Sequence, residues 1–150
     1  MILFVHLLFG AAIGNLVQNP ILAIILAFLG HYLLDLIPHV EYSIDNIENK
    51  NWKKALPDFV KVFLDIVLGL LAIFLLSKNH PLIYVCAFFG ILPDGLSMVN
   101  KLYEINILKI HNDFHGEKNI HFLKNKKISK FWRILSQVLV VLISVILLRI

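Results

Sequence analysis

The sequence predicts an all-α protein: a polytopic membrane bundle of about five transmembrane helices with an amphipathic cytoplasmic segment. Its composition is the first reason, since 59% of the residues are hydrophobic, 16% are charged and the mean hydropathy is +0.80. Soluble proteins are about 45–50% apolar and about 25% charged. The second reason is that apolar runs alternate with polar segments along all 150 residues. This length leaves room for one integral membrane domain, residues 1–150, and no separate soluble domain.

Five apolar runs are the predicted spans, covering residues 1–17, 21–39, 57–76, 82–99 and 131–148. The first is short for a span of about 20 residues. It contains His6 but no lysine or arginine, which favours a retained helix over a secretory signal. Gly10 and Gly14 give it a small-residue face that allows a second helix to approach closely. Pro20 and Pro57 suit the first turns of the second and third helices.

The end of the second run contains three ionisable side chains, His31, Asp35 and His39. Read as one helix, these residues are spaced i, i+4, i+8 and fall on one stripe. Ionisable groups at membrane depth are costly and mark a site by default. One such residue alone would more often fasten helices together, but three on a stripe favour a site.

Further ionisable residues lie in the other segments. Asp65 is about two turns inside the third run, whereas Asp58 suits the helix start and a structural role. Asp94 lies between Pro93 and Gly95, which predict a helix broken or kinked around a cavity, unless Asp94 is a helix-end cap. His111 and His115 have the i, i+4 spacing of a shared metal site, on a partly amphipathic segment spanning residues 100–130.

The distribution of basic residues predicts the orientation. More than half of the 14 lysines and arginines lie between Lys101 and Arg133, and three more lie in the loop of residues 40–56. The positive-inside rule then places both segments in the cytoplasm. The protein is expected to be integral to the cytoplasmic (inner) membrane, with its N-terminus on the cytoplasmic side and its C-terminus outside. Anionic membrane lipids explain the basic segment better than nucleic acid does. In this topology the buried ionisable residues converge on the cytoplasmic side.

The residue types predict a divalent metal site. Histidine and aspartate without thiolates suit Zn²⁺ first, with Mn²⁺ or Fe²⁺ as alternatives. Cys86 is the single cysteine and allows no cysteine cluster. His39 and His115 are the predicted acid–base groups, because histidine exchanges a proton near neutral pH. The predicted metal ligands are His6, His31, Asp35, Asp65, Asp94 and His111.

Several short motifs resemble those of membrane-bound metal-dependent hydrolases, a family of short prokaryotic proteins that includes zinc-dependent phospholipase C-like members. The similar elements are His6 with Gly10, Gly30-His31 through Asp35, Pro38-His39, Leu92-Pro93-Asp94, and His111 through His115. The family's usual His-Arg-Gly-x-Thr-His-Ser element is absent, and the order of the elements differs. The resemblance implies a metal site and hydrolysis of a phosphoester.

These observations together predict a metal-dependent hydrolase acting on a lipid phosphoester at the cytoplasmic interface. A transporter or channel for protons or divalent ions is the main alternative, although the outer half of the bundle lacks acids and, apart from His80, histidines. A homo-oligomer could supply the missing half of such a pathway. The third interpretation is a non-catalytic scaffold whose polar residues only hold helices together.

Overall fold

The computed structural model describes residues 1–115 and 128–150, and these ranges contain helices and connecting segments but no strand. The all-α prediction is confirmed. A short 3₁₀ turn, Trp52–Lys54, precedes the fourth helix. The helices are α1 Leu3–Leu16, α2 Pro20–Leu36, α3 Asp45–Glu48, α4 Leu56–Leu76, α5 Pro81–Tyr103, α6 Asn106–His115 and α7 Lys130–Arg149. Residues 116–127 of the predicted amphipathic segment lie outside the described residues.

Helix α1 occupies the centre of the bundle and contacts α2, α4, α5 and α7. Its sequence is apolar on every side, which is typical of a helix enclosed by others. The main core cluster joins α1 to α4, α5 and α7. Its buried members are Leu7, Leu8, Ala11, Ala12, Ile73, Ile83, Ala87 and Leu148. The shortest of the apolar helices is therefore the most enclosed one.

Glycines allow α1 and α5 to touch at the backbone. A Cβ atom on Gly10 would lie 2.5 Å from the carbonyl oxygen of Cys86, and one on Gly90 would lie 2.7 Å from that of His6. At Gly14 the corresponding distance to the carbonyl oxygen of Leu82 is 2.8 Å. The small-residue face predicted for α1 is thus confirmed, and it brings His6 close to the middle of α5.

The outer surface of the bundle is strongly apolar. Phe63 and Leu75 on α4 are each 65% exposed, and Ile146 on α7 is 59% exposed. Helices α4, α5 and α7 are long and apolar enough to cross a membrane. Helices α1 and α2, with 14 and 17 residues, are apolar but shorter than that. Three of the five predicted spans therefore reach the required length, and the other two do not.

Two predicted features of local structure are wrong. The second helix ends at Leu36, because a residue before proline is held out of the helical region, and Ile37 is accordingly extended. His39 therefore lies in a loop and not on the helical stripe of His31 and Asp35. The fourth run is not broken at Pro93, since α5 continues through it to Tyr103. Asp94 consequently lies inside α5 and is not a helix-end cap.

A pair of glycine substitutions in α5 tests the close contact between α1 and α5. We expect Gly90→Ala to lower the stability by about 1–3 kcal/mol, because the added methyl group would meet the backbone of α1. Gly95→Ala is the matched control, since a Cβ there meets nothing within 4 Å. It should leave stability unchanged or raise it by up to about 1 kcal/mol through helix propensity. Thermal unfolding in detergent, followed by circular dichroism, measures both; equal stabilities would contradict the contact.

Candidate metal site

Four side chains from three helices converge at one end of the bundle: His31 and Asp35 from α2, Asp94 from α5 and His115 from α6. One donor atom from each lies within 4.8 Å of the donor atoms of the others, so these residues could hold a metal ion. The Nε2 atoms of His31 and His115 are 2.8 Å apart. Oδ2 of Asp35 lies 3.1 Å and 3.2 Å from these two nitrogens, and Oδ1 of Asp94 lies 3.6 Å from each.

These separations suit a tetrahedral zinc ion. Ligand bonds of about 2.0–2.1 Å in tetrahedral geometry place neighbouring ligand atoms roughly 3.3 Å apart. The observed distances, from 2.8 to 3.6 Å, lie on both sides of that value. The described residues thus fit a divalent ion without a rearrangement of the helices.

The orientation of His31 also suits metal binding. Its Nδ1 lies 2.8 Å from the carbonyl oxygen of Gly90, which can only accept, so Nδ1 carries the proton. In the neutral ring, Nε2 therefore presents a lone pair to Asp35, Asp94 and His115. A histidine that donates one N–H to a carbonyl while its other nitrogen faces a metal is the usual arrangement in metal sites. For His115, Nδ1 lies 3.2 Å from the hydroxyl of Ser97.

Asp35 has further neighbours on its other oxygen, Oδ1. Nε2 of His6 lies 3.2 Å from this atom, and the His6 ring stacks on that of His31 with centroids 4.0 Å apart. The main-chain nitrogen of Met1 donates a hydrogen bond of 2.8 Å to the same oxygen. The structure therefore brings His6, a predicted ligand, beside the four-residue group but not into it.

His39 reaches the same region from the loop after α2. Its Nδ1 donates to the carbonyl oxygen of Ile37 at 2.6 Å, and its Nε2 lies 2.7 Å from Oε1 of Glu41. The distance from Nε2 of His39 to Oδ1 of Asp35 is 4.0 Å. Sequence reasoning missed Glu41, because a loop has no periodicity that would place its carboxylate.

Helix α7 holds this loop in place. The hydroxyl of Ser136 donates to the carbonyl oxygen of Pro38 at 2.6 Å, and the amide of Gln137 donates to that of Val40 at 2.8 Å. Buried carbonyl groups in a loop need such donors. The last helix, which carries no histidine or acid, thus fixes the position of His39 and Glu41.

His111 lies one turn before His115 but outside the four-residue group. Its Nε2 donates to the carbonyl oxygen of Pro93 at 3.0 Å, and its Nδ1 lies 3.3 Å from the hydroxyl of Tyr32. Both ring nitrogens of this predicted ligand are therefore engaged in holding α6 against α5 and α2. That contact positions His115.

Asp65, another predicted ligand, also lies outside the four-residue group. Its carboxylate accepts a hydrogen bond of 3.2 Å from the hydroxyl of Tyr42 and faces the backbone N–H groups of Leu3 and Phe4. The first N–H groups of a helix have no partner within the helix. Asp65 supplies an acceptor at the start of α1, across the interface between two helices.

A half-open cavity of about 1060 Å³ adjoins the candidate site. Asp94 and His115 form part of its wall, and Asp94 is the most exposed member of the four-residue group, with 28% of its side chain accessible. The wall combines acidic, basic and apolar side chains. Its members include His39, Glu41, Ile66, Ile91, Met98, Lys101, Lys130 and Arg133. The cavity therefore opens the Asp94 side of the four-residue group to the outside.

Comparisons of the chain with protein-family models, curated proteins and solved structures give no match. The resemblance to membrane-bound metal-dependent hydrolases stays a prediction from the sequence motifs.

Tyr42 offers a test of this environment by pH titration. Burial raises the pKa of its phenol above the ordinary value of about 10, and the nearby carboxylate of Asp65 raises it further. The neutral phenol thus contributes to stability fully below that ordinary pKa, and the contribution is lost as the pH rises through the folded-state pKa. Subtracting the absorbance titration of Tyr42→Phe from that of the wild type should give a midpoint above about 10. A midpoint at or below that value would contradict the described contact.

Proposed function

We propose that this chain is a membrane-embedded, metal-dependent hydrolase that acts on a lipid phosphoester. The observation that carries the proposal is the convergence of His31, Asp35, Asp94 and His115 on one point beside a cavity. Buried ionisable residues in an apolar bundle are costly and are kept for a function by default. The metal is expected to be Zn²⁺, with Mn²⁺ or Fe²⁺ as alternatives.

The charges of the four-residue group support a divalent ion. Two neutral histidines and two carboxylates balance the charge of a dication, which reduces the cost of placing it in a region of low dielectric constant. When bound, the ion would supply a Lewis acid that lowers the pKa of water towards about 7 and polarises a phosphoryl oxygen. Catalytic zinc sites keep a position open. Asp94 stands farthest from the two histidine nitrogens and faces the cavity, so this side of the group is the one open to substrate.

The cavity wall supports an anionic lipid as substrate. Lys130 and Arg133 place positive charge there, which would hold a phosphate group, whereas Lys101 is paired with Glu48 in the same wall. Ile66, Ile91 and Met98 offer an apolar surface for the rest of a lipid. The membrane, through its lipids, is then the source of the substrate.

The acid–base roles predicted for two histidines need revision within this proposal. Nε2 of His115 lies among the candidate ligand atoms, so we assign this residue to the metal. His39 lines the cavity with Nε2 facing Glu41, and in a centre with one ion it is the group that accepts or donates a proton.

The strongly apolar surface supports a position within the cytoplasmic membrane. In the proposed topology all five apolar helices lie in the bilayer, with α1 enclosed by the others, the N-terminus inside and the site facing the cytoplasm. The basic residues of the sequence, which favour the cytoplasmic side, support this orientation.

Metal analysis tests the site itself. Purified wild-type protein reconstituted with Zn²⁺ should retain at least one ion per chain, measured by inductively coupled plasma mass spectrometry after dialysis. His115→Ala should weaken zinc binding at least about tenfold, because even residues behind the ligands are worth about 10–100-fold. His80→Ala is the matched control, since His80 lies in an exposed turn before α5. A wild-type protein that retains no metal would overturn the proposal.

An assay on lipid tests the reaction. We expect the zinc-loaded protein in mixed micelles to cleave phosphatidylglycerol or phosphatidylethanolamine and to release a phosphate-containing product, detected by mass spectrometry. Asp94→Ala should abolish the release, whereas His80→Ala should not. Equal release by the wild type and Asp94→Ala would refute the assignment of the site. No release from the metal-loaded wild type would overturn the proposed reaction while leaving the metal site in place.

A further inference from the structure

We infer that Asp35 bridges two metal ions, and that His6, His39 and Glu41 hold the second ion. This inference deepens the proposed function and rests on it. The second site lies on the Oδ1 side of Asp35, whereas the four-residue group uses Oδ2. Carboxylates that bridge two ions about 3.5–4 Å apart are typical of centres that hydrolyse phosphoesters.

The two oxygens of Asp35 face two different sets of histidines. Oδ2 lies 3.1 Å from Nε2 of His31 and 3.2 Å from Nε2 of His115. Oδ1 lies 3.2 Å from Nε2 of His6 and 4.0 Å from Nε2 of His39. The side chain of Asp35 is only 1% exposed, so its charge is compensated by these neighbours and not by water.

His6 is the observation that points to a ligand. The residue is 1% exposed, and neither ring nitrogen makes a hydrogen bond within the described residues, although Nε2 is aimed at Asp35. Leaving a buried polar group without a hydrogen bond costs about 1–3 kcal/mol. Because Nε2 of His6 lies next to a carboxylate, a cation between them would satisfy both groups.

His39 is oriented in the same way as His31. Its Nδ1 donates to the carbonyl oxygen of Ile37, so Nε2 of the neutral ring presents a lone pair to Glu41 and Asp35. A lone pair facing two carboxylates is unfavourable unless a proton or a metal ion lies between them. Glu41 lies in a loop with a third of its side chain exposed, which lets it adjust to an ion.

The main-chain nitrogen of Met1 lies among the same atoms. It is 2.8 Å from Oδ1 of Asp35 and 3.4 Å from Oε1 of Glu41, so an electropositive group already occupies the space between the two carboxylates. Residues 1 and 2 precede α1 and are not helical. The Met1 side chain packs against Val5 and Leu34, so an ion at this position has to displace the Met1 nitrogen from between the carboxylates.

The distances and charges fit a second ion. The distances from His6 and His39 to the carboxylate oxygens of Asp35 and Glu41 run from 2.7 to 4.0 Å, around the roughly 3.3 Å of tetrahedral coordination. Three carboxylates, from Asp35, Glu41 and Asp94, leave one positive charge uncompensated in a centre of two dications. That surplus favours an anionic phosphoester over a neutral ester as the substrate.

Manganese loading tests the inference without any activity measurement. We expect the full-length protein in detergent to bind two Mn²⁺ ions per chain, counted by mass spectrometry, with the electron paramagnetic resonance signal of a coupled pair. Glu41→Ala should reduce the count to one and replace that signal by that of an isolated ion. His6→Ala should do the same, and Asp35→Ala should remove both ions. Glu41 is partly exposed in a loop, so its substitution should leave the fold intact, as circular dichroism would verify.

The number of ions bound per chain distinguishes failure of this inference from failure of the proposed function. One ion in the wild type, lost in His115→Ala, would overturn the bridged pair and leave the four-residue site standing. No ion in the wild type would overturn both. Two ions that persist in Glu41→Ala and in His6→Ala would place the second ion elsewhere. His80→Ala, the control, should bind two ions with an unchanged signal.

Discussion

The burial of the Asp35 carboxylate is the constraint on which the rest of the structure depends. An ion moved from water into a protein interior loses several kcal/mol of solvation, which neighbouring groups must replace. Around Asp35 these groups come from separate parts of the chain: the Met1 nitrogen and His6 from the start of the chain, His31 from α2, His39 from a loop and His115 from α6. None of these contacts is possible unless α1, α2, α5 and α6 meet at one end of the bundle.

The packing of α1 against α5 provides that meeting point. Gly90 places the backbone of α5 against the carbonyl oxygen of His6, and its own carbonyl oxygen accepts the hydrogen bond of His31. A side chain at this position would push the two helices apart and displace both histidines. Gly90 thus both allows α1 and α5 to pack closely and orients the His31 ring. The polar site therefore depends on the apolar contact between these two helices.

The enclosure of α1 would also allow so short a helix to lie within a membrane, as the proposed topology requires. A helix in contact with lipid must match a hydrocarbon thickness of about 30 Å, or 20 residues. Helix α1 has 14 residues, but α2, α4, α5 and α7 surround it, so protein and not lipid satisfies its ends. Asp65 provides one such contact by facing the first N–H groups of α1. An acidic residue deep in an apolar run need not be a metal ligand when a helix end lies beside it.

The positions of the predicted ligands in the structure show how far the sequence could predict the site. His31 and Asp35 were placed together by helical spacing alone, because i and i+4 share a face whatever surrounds them. The i, i+4 pair of His111 and His115 has the same spacing, yet only His115 reaches the ligand group, since tertiary contacts decide which ring faces the neighbouring helix. Asp94 lies near His31 only because α5 packs against α2. Glu41 lies near His39 only because of the path of the loop. No periodicity in the sequence encodes either arrangement.

The exposure of Asp94 is the feature that distinguishes this group from a site that only fastens helices. A structural metal site is closed, with no route for solvent to the ion. Here His31 and Asp35 are buried, whereas Asp94 stands 3.6 Å from the histidine nitrogens and shares its cavity with lysine and arginine side chains. Positive charge serves no purpose for holding a cation, because like charges repel. In the proposed function it would hold an anion next to that cation, as a phosphoester hydrolase requires.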